Sequence, residues 1–356
     1  MGLREMMIGI EEDPGARIER EFIEQLNAYY AHPDSSFYDE EIERAFWEQK
    51  LRHVGFKSYP NDGLVTFGAS QVDKCDREIY FKYSRAPKVK RHDIPFRGRQ
   101  RRQGTAIVDY LQLDLVHMPV RLGDVKFTVA KTKTGEWAFE DAAQHRRVFT
   151  VPLDGEKIKF AVTAKPDGIL EYEGRRLLLE FKTKATGIKQ MNQKLSYTGP
   201  EYHHRAQVIA ESLVFGIREA LILYESTQKP SWFSDEENRV PKYQKTWENG
   251  EPIADIRVFY IRIDPEEQRE LLEHLARQAK LVYDQTLPDV TVDMTQKCGF
   301  CPYFGAHCHK MLTKENYDAL KLAERRFATS TAAGFYAHRQ LQAYLAEVPG
   351  NGEPEN

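Results

Sequence analysis

Four unequally spaced cysteines constrain this chain more than any other feature of its sequence. Three of them, Cys298, Cys301 and Cys308, fall within eleven residues, whereas Cys75 lies more than 220 residues upstream. The N-terminal residues MGLREMMIGIEEDPG lack the apolar stretch of a signal peptide, so we expect a cytoplasmic protein, in which disulfides are rare. Four thiolates can hold a zinc ion or an iron–sulfur cluster. Zinc ribbons usually show two close Cys-x-x-Cys pairs, so this spacing favours a 4Fe–4S cluster.

A cluster bound by both Cys75 and Cys298 would close a loop that contains the whole central part of the chain. By chain-entropy arithmetic, that closure stabilises the folded state by on the order of 5 kcal/mol, which is comparable to the stability of a typical domain. We therefore predict a structural cluster that need not carry out redox chemistry.

The order of apolar patterns predicts a mixed α/β fold with helical additions at both ends. Alternation of apolar residues predicts strands at residues 124–130, 136–140, 146–152, 157–164, 177–182, 219–225 and 255–263. Apolar stripes at helical spacing predict helices at residues 15–31, 40–52, 104–116, 201–215, 265–285 and 313–347. No run of about 18 or more apolar residues is present, so no membrane span is expected.

The charge distribution excludes a protein that is basic as a whole. The net charge is −3, so any attraction for polyanions must come from a local cluster. One such cluster is a run of seven basic residues: Lys88, Lys90, Arg91, Arg97, Arg99, Arg101 and Arg102. By itself the run indicates a solvated loop, and it becomes a candidate for DNA contacts only beside a nuclease site.

A strand–turn–strand segment is expected to bring two carboxylates and one lysine to a single point. Asp167 ends one strand, Glu173-Gly174 forms the turn, and Glu180 and Lys182 share one face of the next strand. Two carboxylates leave room for water and phosphate oxygens on a divalent cation, as is usual for Mg²⁺. Such an ion polarises a phosphate and lowers the pKa of a bound water, and Lys182 can orient that water. Alternatively, both charges of the second strand face solvent.

Two helices carry further polar candidates, each of which could equally be an ordinary surface residue. Asp109 follows the basic run, and Gln207 lies in the segment YHHRAQ. Within that segment, His203 and His204 diverge by about 100° around the helix axis, so they cannot easily bind one ion. We interpret both histidines as surface residues that could contact phosphate.

The order of these motifs along the chain, from Cys75 through the basic run, Asp109, Asp167, Glu180-x-Lys182 and Gln207 to the last three cysteines, resembles that of the RecB-like iron–sulfur nucleases. This family belongs to the PD-(D/E)xK superfamily and includes CRISPR-associated Cas exonucleases and the AddB-type nuclease domain. The resemblance covers residues 65–311 and implies a restriction-endonuclease-like core, in which helices flank a mixed central sheet. It also implies that Asp167 and Glu180 bind Mg²⁺ or Mn²⁺ with help from the Phe181 carbonyl. Lys182 would then be catalytic, and Gln207 would position the DNA backbone.

Two positions depart from the family pattern. The family commonly has a metal-binding histidine where Asp109 stands, five residues after Gly104, and an aspartate can bind the same ion. A tyrosine is common where Glu211 stands. The implied organisation is a helical extension at residues 1–64, a nuclease domain at 65–311 that is closed by the four-cysteine cluster, a C-terminal helix at 312–348 and a disordered tail at 349–356.

The function implied by the resemblance is a metal-dependent DNA nuclease, an exonuclease on single-stranded DNA or duplex ends, in recombination, repair or replication. Expected partners are DNA and a helicase, a single-strand-binding protein or a recombination protein, in the host cytoplasm if the chain is phage-encoded. Residues 88–102 would line the DNA path, and Tyr80, Phe81 and Tyr83 would either stack on bases or belong to the core. The alternatives are a catalytically inactive DNA-binding or assembly subunit and a zinc-stabilised structural protein.

Overall fold

The computed structural model of the chain describes residues 13–34, 38–55, 62–88, 95–229, 254–289 and 301–303. Its helices and strands confirm the predicted mixed α/β class. The chain divides into two compact units, each built from three segments. The first unit comprises Met1–Val72, Ile94–Phe149 and Ala161–Leu272, and the second comprises Asp73–Asp93, Thr150–Phe160 and Glu273–Asn356.

Eight α-helices lie in the described part of the chain. They are α1 (Pro14–Tyr30), α2 (Glu40–Arg52), α3 (Asp76–Tyr83), α4 (Pro95–Leu122), α5 (Glu140–Ala143), α6 (Ile188–Thr198), α7 (Tyr202–Phe215) and α8 (Pro265–Tyr283). Aspartate side chains cap the N-termini of the first two helices. Asp13 and Asp39 each accept a hydrogen bond from a backbone N–H of the first turn. Among the described residues, no helix combines the length and the apolar character needed to cross a membrane.

The strands among the described residues form two sheets. They are β1 (Thr66–Gly68), β2 (Phe127–Val129), β3 (His145–Leu153), β4 (Glu156–Ala164), β5 (Gly168–Tyr172), β6 (Arg175–Lys184), β7 (Glu219–Ser226) and β8 (Ile256–Arg262). A five-stranded sheet has the order β2-β5-β6-β7-β8, in which only the β6–β7 pair is parallel. A three-stranded sheet has the order β1-β4-β3.

Strand β6 is the centre of the five-stranded sheet and is covered on both faces. Leu177, Leu179 and Phe181 belong to one apolar cluster, which includes residues of α1 and α4. On the opposite face, Leu178 belongs to a second apolar cluster, which includes residues of α6 and α7. A polar side chain in the buried middle of this strand, residues 177–181, is therefore removed from water, which is costly unless it has partners.

Two local predictions need correction, and others lie outside the described residues. Residues 136–140 form no strand, because one bridge between Lys131 and Trp137 is followed directly by α5. The helix expected at 104–116 is longer and begins at Pro95, so the basic residues from 95 onward are helical rather than in a loop. The predicted C-terminal helix and tail lie outside the described residues, as do Lys90 and Arg91.

Candidate active site

The β5–β6 hairpin places Asp167 next to Glu180. Gly168 pairs with Leu179, so the residues just beyond this pair, Asp167 and Glu180, are opposite each other. The two turn residues, Glu173 and Gly174, have φ angles of 46° and 73°, as a tight two-residue hairpin turn requires. Asp167 is fixed across the strands because its Oδ2 accepts a 2.7 Å hydrogen bond from the backbone N–H of Phe181.

Glu180 is buried and Lys182 is its partner. The Glu180 side chain is 1% exposed, on the same face of β6 as Leu178, so the alternative in which both charges face solvent is wrong. The Lys182 side chain is 26% exposed, and its ammonium group forms an ion pair with Glu180 Oε1. The other oxygen, Oε2, is buried and has no hydrogen-bond partner. An unpartnered carboxylate oxygen at this depth is unfavourable unless a cation or a proton joins it.

The electrostatics of the three groups are coupled. Burial raises the pKa of Asp167 to about 6, against the opposing effect of the Lys182 charge. Burial, followed by the charges of Asp167 and Glu211, raises the pKa of Glu180 well above its usual value. Burial acts to lower the pKa of Lys182, but the charges of Glu180 and Asp167 outweigh it and raise that pKa. The site therefore favours an added positive charge, because its carboxylates repel one another.

Helix α7 adds a predicted residue and an unexpected one to this cluster. Gln207 Oε1 accepts a 3.4 Å hydrogen bond from Lys182 Nζ, and Gln207 Nε2 donates a 3.0 Å bond to Glu211 Oε1. Glu211 is fully buried, and burial raises its pKa to about 8. A lone charge among the apolar residues VIAESLVF is a sequence signal that could have drawn attention to Glu211.

Asp109 forms an ion pair with Lys50, a residue that the sequence patterns did not indicate. Lys50 Nζ, on α2, lies 2.9 Å from Asp109 Oδ1 and 2.7 Å from Glu140 Oε2, and it donates a 2.6 Å bond to Gln112 Oε1. Gln112 in turn donates a 2.7 Å bond to the backbone oxygen of Asp167. Lys50 therefore joins α2 and α4 to the hairpin, and Asp109 can bind an ion only if its ion pair opens. The assignments of Asp109 and of the Phe181 carbonyl as ligands stay predictions.

The basic end of α4 approaches the hairpin at Gly104. A Cβ atom on Gly104 would lie 3.2 Å from Oγ1 of Thr183, the residue that follows Lys182. Arg97 and Arg101 precede Gly104 by seven and three positions, so they share its side of the helix. The described basic residues of α4 that the sequence predicted to contact DNA, Arg97, Arg99, Arg101 and Arg102, are partly or fully exposed.

A second polar group lies at the start of α7 and corrects the interpretation of the histidines. His204 is 6% exposed rather than on the surface, whereas the His203 side chain is 50% exposed. Ligand atoms of His203, His204 and Glu201 all lie within 4.8 Å of one another, so the adjacent histidines can approach one ion. Burial lowers the pKa of His204 to about 2, helped by the charges of Lys182 and His203.

The donor atoms of this second group are already engaged. His204 Nδ1 lies 2.8 Å from the Tyr224 hydroxyl, and the Glu201 carboxylate pairs with Lys184 and Lys194. Burial acts to raise the pKa of Glu201, but these two lysines outweigh it and lower that pKa to about 2. A cation here would have to displace the lysines, whereas Glu180 Oε2 has no partner to lose.

Two of the four cysteines lie among the described residues, both in the second unit. Cys75 begins α3, and its Sγ accepts a 3.3 Å hydrogen bond from the backbone N–H of Glu78. Cys301 is buried, and two residues later the Tyr303 ring packs 5.8 Å from the Phe81 ring of α3. Phe81 is 1% exposed, so it is a core residue and cannot stack on a base. Cys298 and Cys308 lie outside the described residues.

Comparisons with known proteins identify no family for the chain. No family model matches it, and no curated protein matches it either. Solved structures are weakly similar. SSO0001 has a TM-score of 0.38 at 12% identity, covering 78% of this chain and 100% of its own. The alkaline exonuclease LHK-Exo from Laribacter hongkongensis has a TM-score of 0.34 at 12% identity, covering 62% and 92%.

A phage-related exonuclease from Haemophilus somnus 129PT has a TM-score of 0.32 at 14% identity, covering 62% of this chain and 95% of its own. Likenesses at this level carry no argument about activity.

Proposed function

We propose that the chain is a metal-dependent deoxyribonuclease whose catalytic centre contains Asp167, Glu180 and Lys182. The observation that carries the proposal is the buried Oε2 atom of Glu180, which has no hydrogen-bond partner and lies beside a second carboxylate. Oxygen ligands of this kind suit Mg²⁺ or Mn²⁺, so the residues present fit the ion. The ion, when bound, supplies Lewis acidity toward a phosphate oxygen and lowers the pKa of a bound water.

The protein groups have separate roles in this proposal. Asp167 and Glu180 hold the cation, and the backbone N–H of Phe181 fixes the orientation of the Asp167 carboxylate. Lys182 keeps its positive charge, because its pKa is raised, and it can stabilise negative charge that develops on the phosphate. Gln207 accepts a hydrogen bond from the Lys182 ammonium group and so holds that group in place.

Exposed basic and aromatic side chains in the first unit suit a nucleic acid. Arg97 and Arg101 lie on the side of α4 that meets β6 at Thr183, and arginines there can bind phosphates. Tyr197 is 93% exposed and Tyr202 is 77% exposed, and both flank the segment that connects α6 to α7. Exposed aromatic rings near basic residues are typical of sites that stack unpaired bases. We propose single-stranded DNA or a frayed duplex end as the substrate.

The second unit is proposed to hold the 4Fe–4S cluster. Tyr303 supports this, because its ring packs 5.8 Å from the Phe81 ring of α3, the helix that Cys75 begins. The described parts of the two cysteine segments therefore lie close together. Cys298 and Cys308 would complete the four thiolates.

The test is cleavage of single- and double-stranded DNA that carries labelled 5′ or 3′ ends, with and without Mg²⁺ or Mn²⁺. We expect metal-dependent cleavage, which Glu180→Gln and Lys182→Ala each reduce by about 100-fold or more while DNA binding is retained. Glu171→Gln is the matched control, because Glu171 lies on the adjacent strand with its side chain 48% exposed. Wild-type protein that binds DNA but cleaves none of these substrates would instead support the inactive-subunit alternative.

A further inference from the structure

Glu211 is a carboxylate in the interior of the first unit that the proposed reaction does not yet use. It lies one helical turn after Gln207 on α7 and is 0% exposed. Its Oε1 accepts the hydrogen bond from Gln207, whereas its Oε2 is buried and has no hydrogen-bond partner. Glu180 and Glu211 thus share an unusual feature, since each has one satisfied oxygen and one buried oxygen that is not satisfied.

The charges of these two residues act on each other. The Glu211 charge is one cause of the raised pKa of Glu180, third after burial and the charge of Asp167. The charges of Asp167 and Lys182 in turn reach Glu211. Asp167, Glu180 and Glu211 therefore form one electrostatic group with Lys182, which we call the three-carboxylate cluster.

The charge balance of this cluster calls for one divalent cation. When ionised, three carboxylates and one ammonium group leave two negative charges, the number that one Mg²⁺ or Mn²⁺ neutralises. Neighbouring lysines are paired with other carboxylates: Lys50 with Asp109 and Glu140, Lys165 with Asp141, and Lys184 with Glu201. Buried carboxylates without such compensation are costly.

The geometry limits how Glu211 can reach the ion. Among the described residues, the only three-residue group whose ligand atoms all lie within 4.8 Å of one another is the one at Glu201, so at least one pair of carboxylates in the three-carboxylate cluster is farther apart than that. Mg²⁺ and Mn²⁺ commonly keep several bound waters, and a more distant carboxylate can accept a hydrogen bond from one of them.

We propose that Glu211 is a third carboxylate of the metal centre, which accepts a hydrogen bond through Oε2 from a water bound to the cation that Asp167 and Glu180 hold. This inference rests on the proposed metal centre but not on DNA being its substrate. It gives both oxygens of Glu211 a partner, since Oε1 orients Gln207 and Oε2 orients the water.

The test is the affinity of the protein for Mn²⁺ without DNA, measured by calorimetry and by the electron paramagnetic resonance signal of free Mn²⁺. We expect Glu211→Gln, which keeps the shape of the side chain, to weaken Mn²⁺ binding by about 10- to 100-fold. Glu211→Asp, which keeps the charge, should retain more of the affinity than Glu211→Gln. Glu21→Gln is the matched control, because Glu21 is also buried but pairs with Lys126 and Tyr172.

A purely structural role makes a different prediction. If Glu211 only positioned Gln207, Glu211→Gln would leave Mn²⁺ affinity within about twofold of wild type, and that result would overturn the inference. If the protein cleaves DNA, cleavage by Glu211→Gln should be restored by raising Mn²⁺ about 10- to 100-fold. Failure of the nuclease proposal stays distinguishable, because it would leave Mn²⁺ binding and its dependence on Glu211 intact while no DNA was cleaved.

Discussion

Raising the pH should destabilise the metal-free protein, because the three-carboxylate cluster holds protons that the unfolded chain releases. The pKa of Glu211 is raised to about 8 by burial, whereas an exposed glutamate titrates near about 4.3. At pH values between these two pKa values, the folded state binds one more proton than the unfolded state. Stability therefore falls as the pH rises through this window, and the loss ends above the folded-state pKa.

The size of this loss of stability follows from the release of one proton per molecule. Each pH unit in the window costs about 1.4 kcal/mol, so Glu211 accounts for about 2 kcal/mol between about pH 6.5 and 8.5. The groups that face it are Asp167, Glu180 and Lys182. Asp167, with a pKa of about 6, contributes mostly below this range. For a domain of about 150–250 residues, this loss corresponds to a melting temperature about 4–8 °C lower.

The assay is thermal unfolding followed by circular dichroism in buffers free of divalent cations, repeated with saturating Mn²⁺. We expect the melting temperature of the metal-free wild type to fall across this range. The stabilisation by Mn²⁺ should grow with pH, because the ion replaces protons on the carboxylates. Glu211→Gln should lose the part of the pH dependence that Glu211 contributes, whereas the raised pKa of Glu180 maintains the remainder. Equal slopes for the wild type and Glu211→Gln would refute the reasoning.

Three further substitutions test other parts of the account. Gly104→Val should push α4 away from Thr183, lowering stability by about 1–3 kcal/mol and slowing cleavage. Gly98→Ala, whose Cβ meets only the end of a flexible arginine at 3.9 Å, should not slow cleavage and should raise stability by up to about 1 kcal/mol through helix propensity. Gln207→Leu should lower the cleavage rate about tenfold, because Lys182 loses an acceptor, and should lower the melting temperature, because the buried Glu211 Oε1 loses its donor. Cys75→Ser should abolish iron content and visible absorption and lower the melting temperature, and a coloured, equally stable variant would contradict the cluster proposal.

The hairpin could be predicted from the sequence because its determinants are local. Strand alternation puts Glu180 and Lys182 on one face, and the Glu173-Gly174 turn sets the register that places Asp167 opposite Glu180. The burial of Glu180 follows from the apolar residues before it, since both faces of this strand are covered. These features depend on residues close together in the chain.

The remainder of the site depends on how distant helices pack against the sheet. Lys50 captures Asp109 only because α2 lies against α4, and no spacing in the sequence reveals that contact. Helical geometry predicts that the His203 and His204 side chains diverge, but their ring centroids lie 3.9 Å apart and both side chains lie close to Glu201, at the start of the same helix. Glu211 looked like a departure from a family pattern until the fold placed it against Gln207.

The most direct test of the metal centre is the anomalous scattering of Mn²⁺ in crystals of the protein soaked with that ion. We expect a peak between the carboxylates of Asp167 and Glu180, with a bound water directed toward Glu211. A peak at Glu201, His203 and His204, with none beside Glu180, would contradict the account.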